Sequence, residues 1–349
     1  MISYEVQEWG RPLQQVLSRT PEPQAAEVLV RVKACGVCHS DVHIREGAYD
    51  MGDGKRISLS DIGIHLPLTM GHEIVGVVEA TGPLAQVQVG SECVVYPWIG
   101  CGHCRHCLHG LELDCEKPRS LGTRRAGGYA DHVLVPDGRY VLPYDGVDSL
   151  VAASAACSGL TAYSALKKLP PLTSDDVVVL IGAGGLGLAA LGLLPKIHDA
   201  RVIMLDSDPA KLELARAKAD AVLEIQDANS LAKVRELARC GGAAAVIDFV
   251  GLPQTFEWGL SALRKGGTMV QVGLFGGATS LSIAMLPMRH LKIIGSYVGS
   301  LQEFKDLLVL LKGGDIVMAP LLQRPMAEIN DVFEEIRKGQ VPGRVMAIA

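Results

Sequence analysis

Aromatic residues are scarce in this chain. Phe, Trp and Tyr together make up only 5% of its 349 residues. The core must therefore be built from aliphatic side chains, and a hydrophobic content of 48% is ample for that. Charge is sparing too, at 20% of residues with a net value of −5. No basic footprint for nucleic acid is present. Two short basic runs, GKR at 54–56 and TRR at 123–125, read as solvated surface charge. No uncharged apolar run reaches the length of a membrane span, so no span is expected. The opening residues, MISYEVQEWGRPLQQ, have neither a basic n-region nor an apolar h-region. No signal peptide is read there, and the expected compartment is cytoplasmic. In that reducing setting the nine cysteines are expected as metal ligands or buried thiols rather than disulfides.

Glycine is abundant, with 39 residues, as tight turns between strands and helices require. The length suits about two domains. Residues 1–150 are β-rich: EVLVRVKACGVC, EIVGVVEATG, SECVVYPW and GYADHVLVP are short Val-rich runs punctuated by Gly and Pro. From 151 to 290 the pattern alternates. VVVLIGAGGLG, RVIMLDSD, AAVIDFVG and GTMVQVGLFG read as strands separated by helical stretches, which implies βαβ units on a parallel sheet. In the final segment, 291–349, Ser300 and Glu303 have capping-box spacing ahead of an apolar helix that stops at Gly313. RVMAIA reads as a last strand returning to the first domain. The expected class is α/β: a doubly wound parallel-sheet domain plus a β-rich, barrel-like one.

Gly182, Gly184, Gly185, Leu186 and Gly187 belong to a G-x-G-x-x-G turn that follows an apolar strand and opens a helix. Glycines there let the backbone approach a pyrophosphate, and the helix start offers free N–H groups and a favourable dipole. Asp206 ends the next strand, where it would accept bonds from the adenosine ribose hydroxyls and repel a 2′-phosphate. NAD is therefore the expected cofactor. Pro195 should kink or end the following helix, far from the phosphates.

Cys101, Cys104, Cys107 and Cys115 follow a C-x2-C-x2-C-x7-C spacing. Four thiolates complete a tetrahedral zinc shell and leave no place for substrate, so this site is expected to be structural. The neighbouring His103, His106 and His109 are then spare. Cys38, His72 and Cys157 are far apart, and no spacing rule joins them.

Taken together in chain order, GVCHSDVH, GHEIVGVVEATG, CGHCRHCLHGLELDC, CSGLTAYSAL and VVVLIGAGGLG resemble the zinc-dependent medium-chain alcohol dehydrogenases. The resemblance covers essentially the whole chain. It implies a GroES-like catalytic domain over 1–150, completed by 291–349, and a Rossmann NAD-binding domain over 151–290. It implies two zinc ions per chain. One is held by the four-cysteine lobe; the other, catalytic, is held by Cys38, His72 and Cys157 with a fourth position left for water or substrate. Glu73 resembles the family's carboxylate near the metal, and Asp41 its carboxylate that orients a ligating histidine. Ser40 and His43 resemble the relay that carries the alcohol proton to solvent. Val272 and Leu274 are expected beside the cofactor, and Arg344 at its pyrophosphate. Cys35, Cys93 and Cys240 match no ligand position and are expected as packing residues.

The implied reaction is reversible oxidation of a small-molecule alcohol to a ketone or aldehyde. Trp98 and, more weakly, Tyr49 are expected to line the substrate pocket. Residues 50–65 read as an insertion relative to compact relatives. As a wall or lid it would favour bulky, cyclic or aromatic secondary alcohols; as a surface loop it would pad a subunit contact. A polyol or sugar-alcohol dehydrogenase and a non-catalytic nucleotide-binding relative are the alternatives. By analogy the chain is expected to form a homotetramer, or else a homodimer.

Overall fold

The computed structural model describes residues 1–316 and 318–349. One half is a six-stranded parallel sheet. In spatial order the strands are Ala221–Glu224, Arg201–Asp206, Val177–Ile181, Ala243–Asp248, Leu263–Gln271 and Lys292–Gly295. That is the doubly wound order 3-2-1-4-5-6, with the switch point between Val177–Ile181 and Ala243–Asp248. All five residues of Val177–Ile181 are buried, as a central strand covered by helices on both faces must be. The expected boundary at 290 falls short: Lys292–Gly295 pairs in parallel with Thr268–Gln271, so the sheet extends to residue 295.

The other half is a seven-stranded sheet centred on Val28–Val37, which pairs antiparallel with Glu73–Thr81 and with His132–Val135. The chain end returns to it as expected. Arg344–Ile348 pairs antiparallel with this strand, Val345 opposite Val37. Arg344 is thereby carried back to the β-rich half.

A long apolar helical segment, Ser149–Lys167, connects the halves. By length and hydropathy it could cross a membrane, but it is a core helix, 83% buried inside the protein. Asp148 caps it, its carboxylate accepting from the Leu150 and Val151 N–H groups. Over Ala155–Gly159 it widens into a π-type turn, with Leu160 N–H donating to the Ala155 carbonyl. Such widened turns gather at functional sites. This one carries Cys157.

The inserted residues form a two-stranded hairpin, Ala48–Gly52 with Lys55–Ser58. Its tip turns through Asp53 and Gly54 at positive φ. The hairpin lies against the other half of the molecule. A Cβ on Gly52 would sit 2.4 Å from Ala278, and one on Gly276 would sit 2.3 Å from the Asp50 carbonyl.

Candidate active site

The Gly-rich turn starts where Val177–Ile181 ends. Gly182 has φ +100°, which glycine adopts without strain. Gly187 begins the close packing of helix against strand, since a Cβ there would stand 1.8 Å from the Gly182 carbonyl. The helix Gly185–Ile197 contains Pro195 in its last turn and stops two residues later, clear of the turn. Asp206 faces the same place; its carboxylate accepts from the Ala183 N–H at 2.7 Å and the Asp208 N–H at 2.9 Å. Gly182, Gly184, Gly185, Leu186, Gly187, Asp206 and Arg344 line one cavity of about 440 Å³, with Lys211, Arg337 and Lys338 adding positive charge.

Cys38 precedes the helix His39–Glu46, and Asp41 folds back to accept from the Cys38 N–H at 2.9 Å. The same Asp41 carboxylate accepts from the Tyr129 hydroxyl at 2.8 Å and lies 3.2 Å from His72 Nδ1. One buried carboxylate thus sets both a cysteine and a histidine. His72 Nε2 is buried without a protein hydrogen-bond partner. One ligand atom from each of Cys38, His72, Glu73 and Cys157 falls within 4.8 Å of the others, and all four residues are buried. The Cys38 and Cys157 sulfurs are 3.9 Å apart. Thiolates about 2.3 Å from a tetrahedral zinc would stand ~3.8 Å apart, so the spacing fits that ion.

The electrostatics divide the group: Cys38 and burial push the Cys157 thiol well up, Asp41 raises His72 against burial, and Cys38 alone is held as a thiolate. The Cys157 thiol pulls the Cys38 pKa well down, and the Arg344 and His72 charges assist against burial. Burial pushes Glu73 up to about 7, with Arg344 opposing. Arg344 Nη2 lies 3.1 Å from Glu73 Oε1, so this guanidinium joins the metal group to the nucleotide cavity. Gly36 is needed beneath that carboxylate, because a Cβ there would meet Glu73 Oε2 at 1.9 Å.

Cys101, Cys104, Cys107 and Cys115 form a second group within 4.8 Å, with sulfur–sulfur distances of 3.5, 3.8 and 3.9 Å among them. These also match tetrahedral zinc. Backbone N–H groups of Cys101 and Cys104 donate to the Cys115 and Cys101 sulfurs. His103 and His109 are exposed and bond to nearby carbonyls, and no histidine joins the group.

A second cavity, of about 360 Å³, opens onto Cys38 and Cys157. Ser40 and His43 both line it, three residues apart and so on one face of their helix. Trp98 is held by its indole N–H donating to the Ala156 carbonyl, with its ring 5.1 Å from that of His72. Tyr49, Val272 and Leu274 line the cavity too, and so do Ile62 and Ile64 of the insertion. The two cavities share His39, Leu186, Phe249 and Phe275 as a common wall.

Residues 24–145 match the alcohol dehydrogenase GroES-like domain, and residues 185–313 match the zinc-binding dehydrogenase domain. The chain is 32% identical to an NAD-dependent alcohol dehydrogenase of Sulfurisphaera tokodaii, across 100% of both chains. The chain belongs to the zinc-dependent medium-chain alcohol dehydrogenase family. Among solved structures, the alcohol dehydrogenase of Aeropyrum pernix superposes with a TM-score of 0.88 at 30% identity, covering 100% of both chains. The acetophenone reductase of Geotrichum candidum, in complex with NAD, superposes with a TM-score of 0.84 at 26% identity, covering 100% of this chain and 97% of its own.

Within this dehydrogenase the structure brings together every expected site residue in the two cavities or the two cysteine groups, with Asp41 packed directly behind His72. Several residues went unread. His39 stands on the shared wall, its ring 4.8 Å from Phe275 and 5.1 Å from His43. Its place directly after Cys38 was the available signal. Tyr297 and Phe275 also line the cavity, with no motif to mark them. Arg124, read as surface charge, lines it as well. Cys35 and Cys93 are buried as expected, but Cys240 is exposed and is no packing residue; it stands in a glycine-rich turn outside both sheets.

Proposed function

We propose that this alcohol dehydrogenase oxidises a ring-bearing secondary alcohol to its ketone with NAD, and runs the reverse reaction. The observation that carries the reading is the shared wall. A cavity ending on Cys38 and Cys157 meets, at His39, Leu186, Phe249 and Phe275, the cavity built on the Gly-rich turn. A carbinol carbon and a nicotinamide can therefore adjoin.

Cys38, His72 and Cys157 would hold the catalytic zinc, with Glu73 beside it. Bound there, zinc supplies Lewis acidity that makes an alcohol oxygen acidic near neutral pH. The protein's own residues do the rest. Asp41 orients His72. Ser40 accepts the hydroxyl proton, and His43, on the same helix face, takes it toward solvent. Val272 and Leu274 support the nicotinamide end, and Arg344 reaches the pyrophosphate from the returning strand. Asp206 disfavours a 2′-phosphate by like charge. The net change is alcohol plus NAD to ketone, NADH and one proton.

The ring preference rests on Trp98, Tyr49, Tyr297, Ile62 and Ile64, a largely apolar sleeve beside the metal group. The similarity to an acetophenone reductase supports an aryl ketone as partner substrate. In this reading the insertion is a pocket wall. Assembly into a homotetramer, or a homodimer, is supported by an uncovered sheet edge at Lys292–Gly295.

A panel of primary, secondary, cyclic and aromatic alcohols with NAD and NADP, read by reduced-cofactor absorbance, tests the proposal. Aryl-bearing secondary alcohols with NAD should show the highest kcat/KM. A preference for polyols, or for NADP, would overturn it.

A further inference from the structure

The short basic run at 123–125 is not idle surface. The turn after Ser120 folds back, with the Arg124 and Arg125 N–H groups donating to the Ser120 carbonyl. Ser120, Thr123 and Arg124 are thereby set into the wall of the substrate cavity. Arg124 donates from Nη1 to the Ile62 carbonyl and so fixes the inserted wall. That bond uses one of the five N–H donors of a guanidinium. Among the described residues no carboxylate lies within ion-pair distance of Arg124.

The other permanent charge on this wall is already committed. Glu112 accepts from the Gly100 N–H at 2.9 Å and the Tyr140 hydroxyl at 2.6 Å, and it pairs with Arg139 at 3.3 Å. Arg124 is therefore the uncompensated charge of the cavity wall away from the metal group. Aromatic rings line the same cavity as the metal group and Arg124. The Trp98 ring is 5.1 Å from His72 and 5.9 Å from Tyr297. Tyr297 and Arg124 line the same cavity. A molecule with its carbinol at Cys38 and Cys157 and a ring beside Trp98 and Tyr297 would reach Arg124 with its far substituent.

We propose that Arg124 binds a carboxylate on the substrate, so that the preferred alcohol is an aryl or cyclic hydroxy acid whose acid group lies across the ring from the carbinol. This rests on the alcohol dehydrogenase reading and specifies its substrate class. A guanidinium matches a carboxylate in charge and fork geometry, and such charge-assisted pairs strengthen where water is partly excluded.

The test compares 4-(1-hydroxyethyl)benzoate with its methyl ester, matched in ring and carbinol. The wild-type enzyme should favour the carboxylate in kcat/KM by about tenfold or more, an order set by charge-assisted hydrogen bonding. High salt should shrink the preference. Arg124→Gln keeps a donor for the Ile62 carbonyl while removing the charge, and should erase the preference. Arg124→Glu should reverse it. Equal use of acid and ester by the wild type, or a preference that survives Arg124→Gln, overturns the proposal while leaving an active alcohol dehydrogenase. No turnover of any alcohol or ketone removes the underlying reading as well.

Discussion

At the scale of single residues, the site depends on a few buried groups doing more than one job. Asp41 holds the Cys38 backbone, the Tyr129 hydroxyl and His72 at once. Its replacement would disturb two proposed zinc ligands together. His43 is the group whose titration should be visible. Burial lowers its pKa below the ordinary value of 6.5, with Glu46 and Cys38 opposing. A histidine accepts a proton only while neutral, that is, above its own pKa. Alcohol oxidation should thus hold through about pH 6.5 and fall only below it. A kcat–pH profile checks this: the acidic limb of the wild type should lie below 6.5 and should change in His43→Gln. A limb above that value, or one indifferent to His43→Gln, would remove His43 from the relay.

At the scale of elements, the features split into those that local chain chemistry defines and those that only packing defines. The Gly-rich turn was legible because its physical demands are contiguous: positive φ at Gly182 and a backbone approach at Gly187 leave little but glycine. The four-cysteine lobe was legible for the same reason, since its ligands lie within fifteen residues. Cys38, His72 and Cys157 come from a helix start, the residue before a strand, and a π-type turn, and no local pattern links them. Only likeness to a family joined them. Nor does a short basic run in sequence distinguish a solvated arginine from one folded into a cavity, as Arg124 is. The edge strand Lys292–Gly295 was likewise hidden, because its membership of the nucleotide sheet is a pairing over long range. Among the described residues it is the end strand of its sheet; it carries exposed Ile293, and Ile283 and Met288 in the segment before it are exposed too. Exposed edges of this kind pair readily with a second copy. The chain should sediment as an even-numbered oligomer, and Ile283→Lys with Ile293→Lys should shift it toward monomer. A wild-type monomer would contradict that.

At the scale of the whole molecule, function depends on two domains meeting along one cleft. The returning strand Arg344–Ile348 locks the chain end into the catalytic sheet and puts Arg344 between Glu73 and the Gly-rich turn. The hairpin at 48–58 crosses to the loop around Gly276 and Ala278. The four-cysteine lobe is the more conspicuous cluster in the sequence. Yet the chemistry is assigned to Cys38, His72 and Cys157, which open onto the substrate cavity. Zinc content measured alongside turnover in two cysteine variants tests that division most directly. Cys157→Ser should remain folded, bind NAD, keep the lobe zinc and lose turnover. Cys104→Ser should lose the lobe zinc and damage stability or assembly first. A Cys104→Ser protein of intact stability without activity, beside an active Cys157→Ser, would mean that the two sites have been assigned the wrong way round.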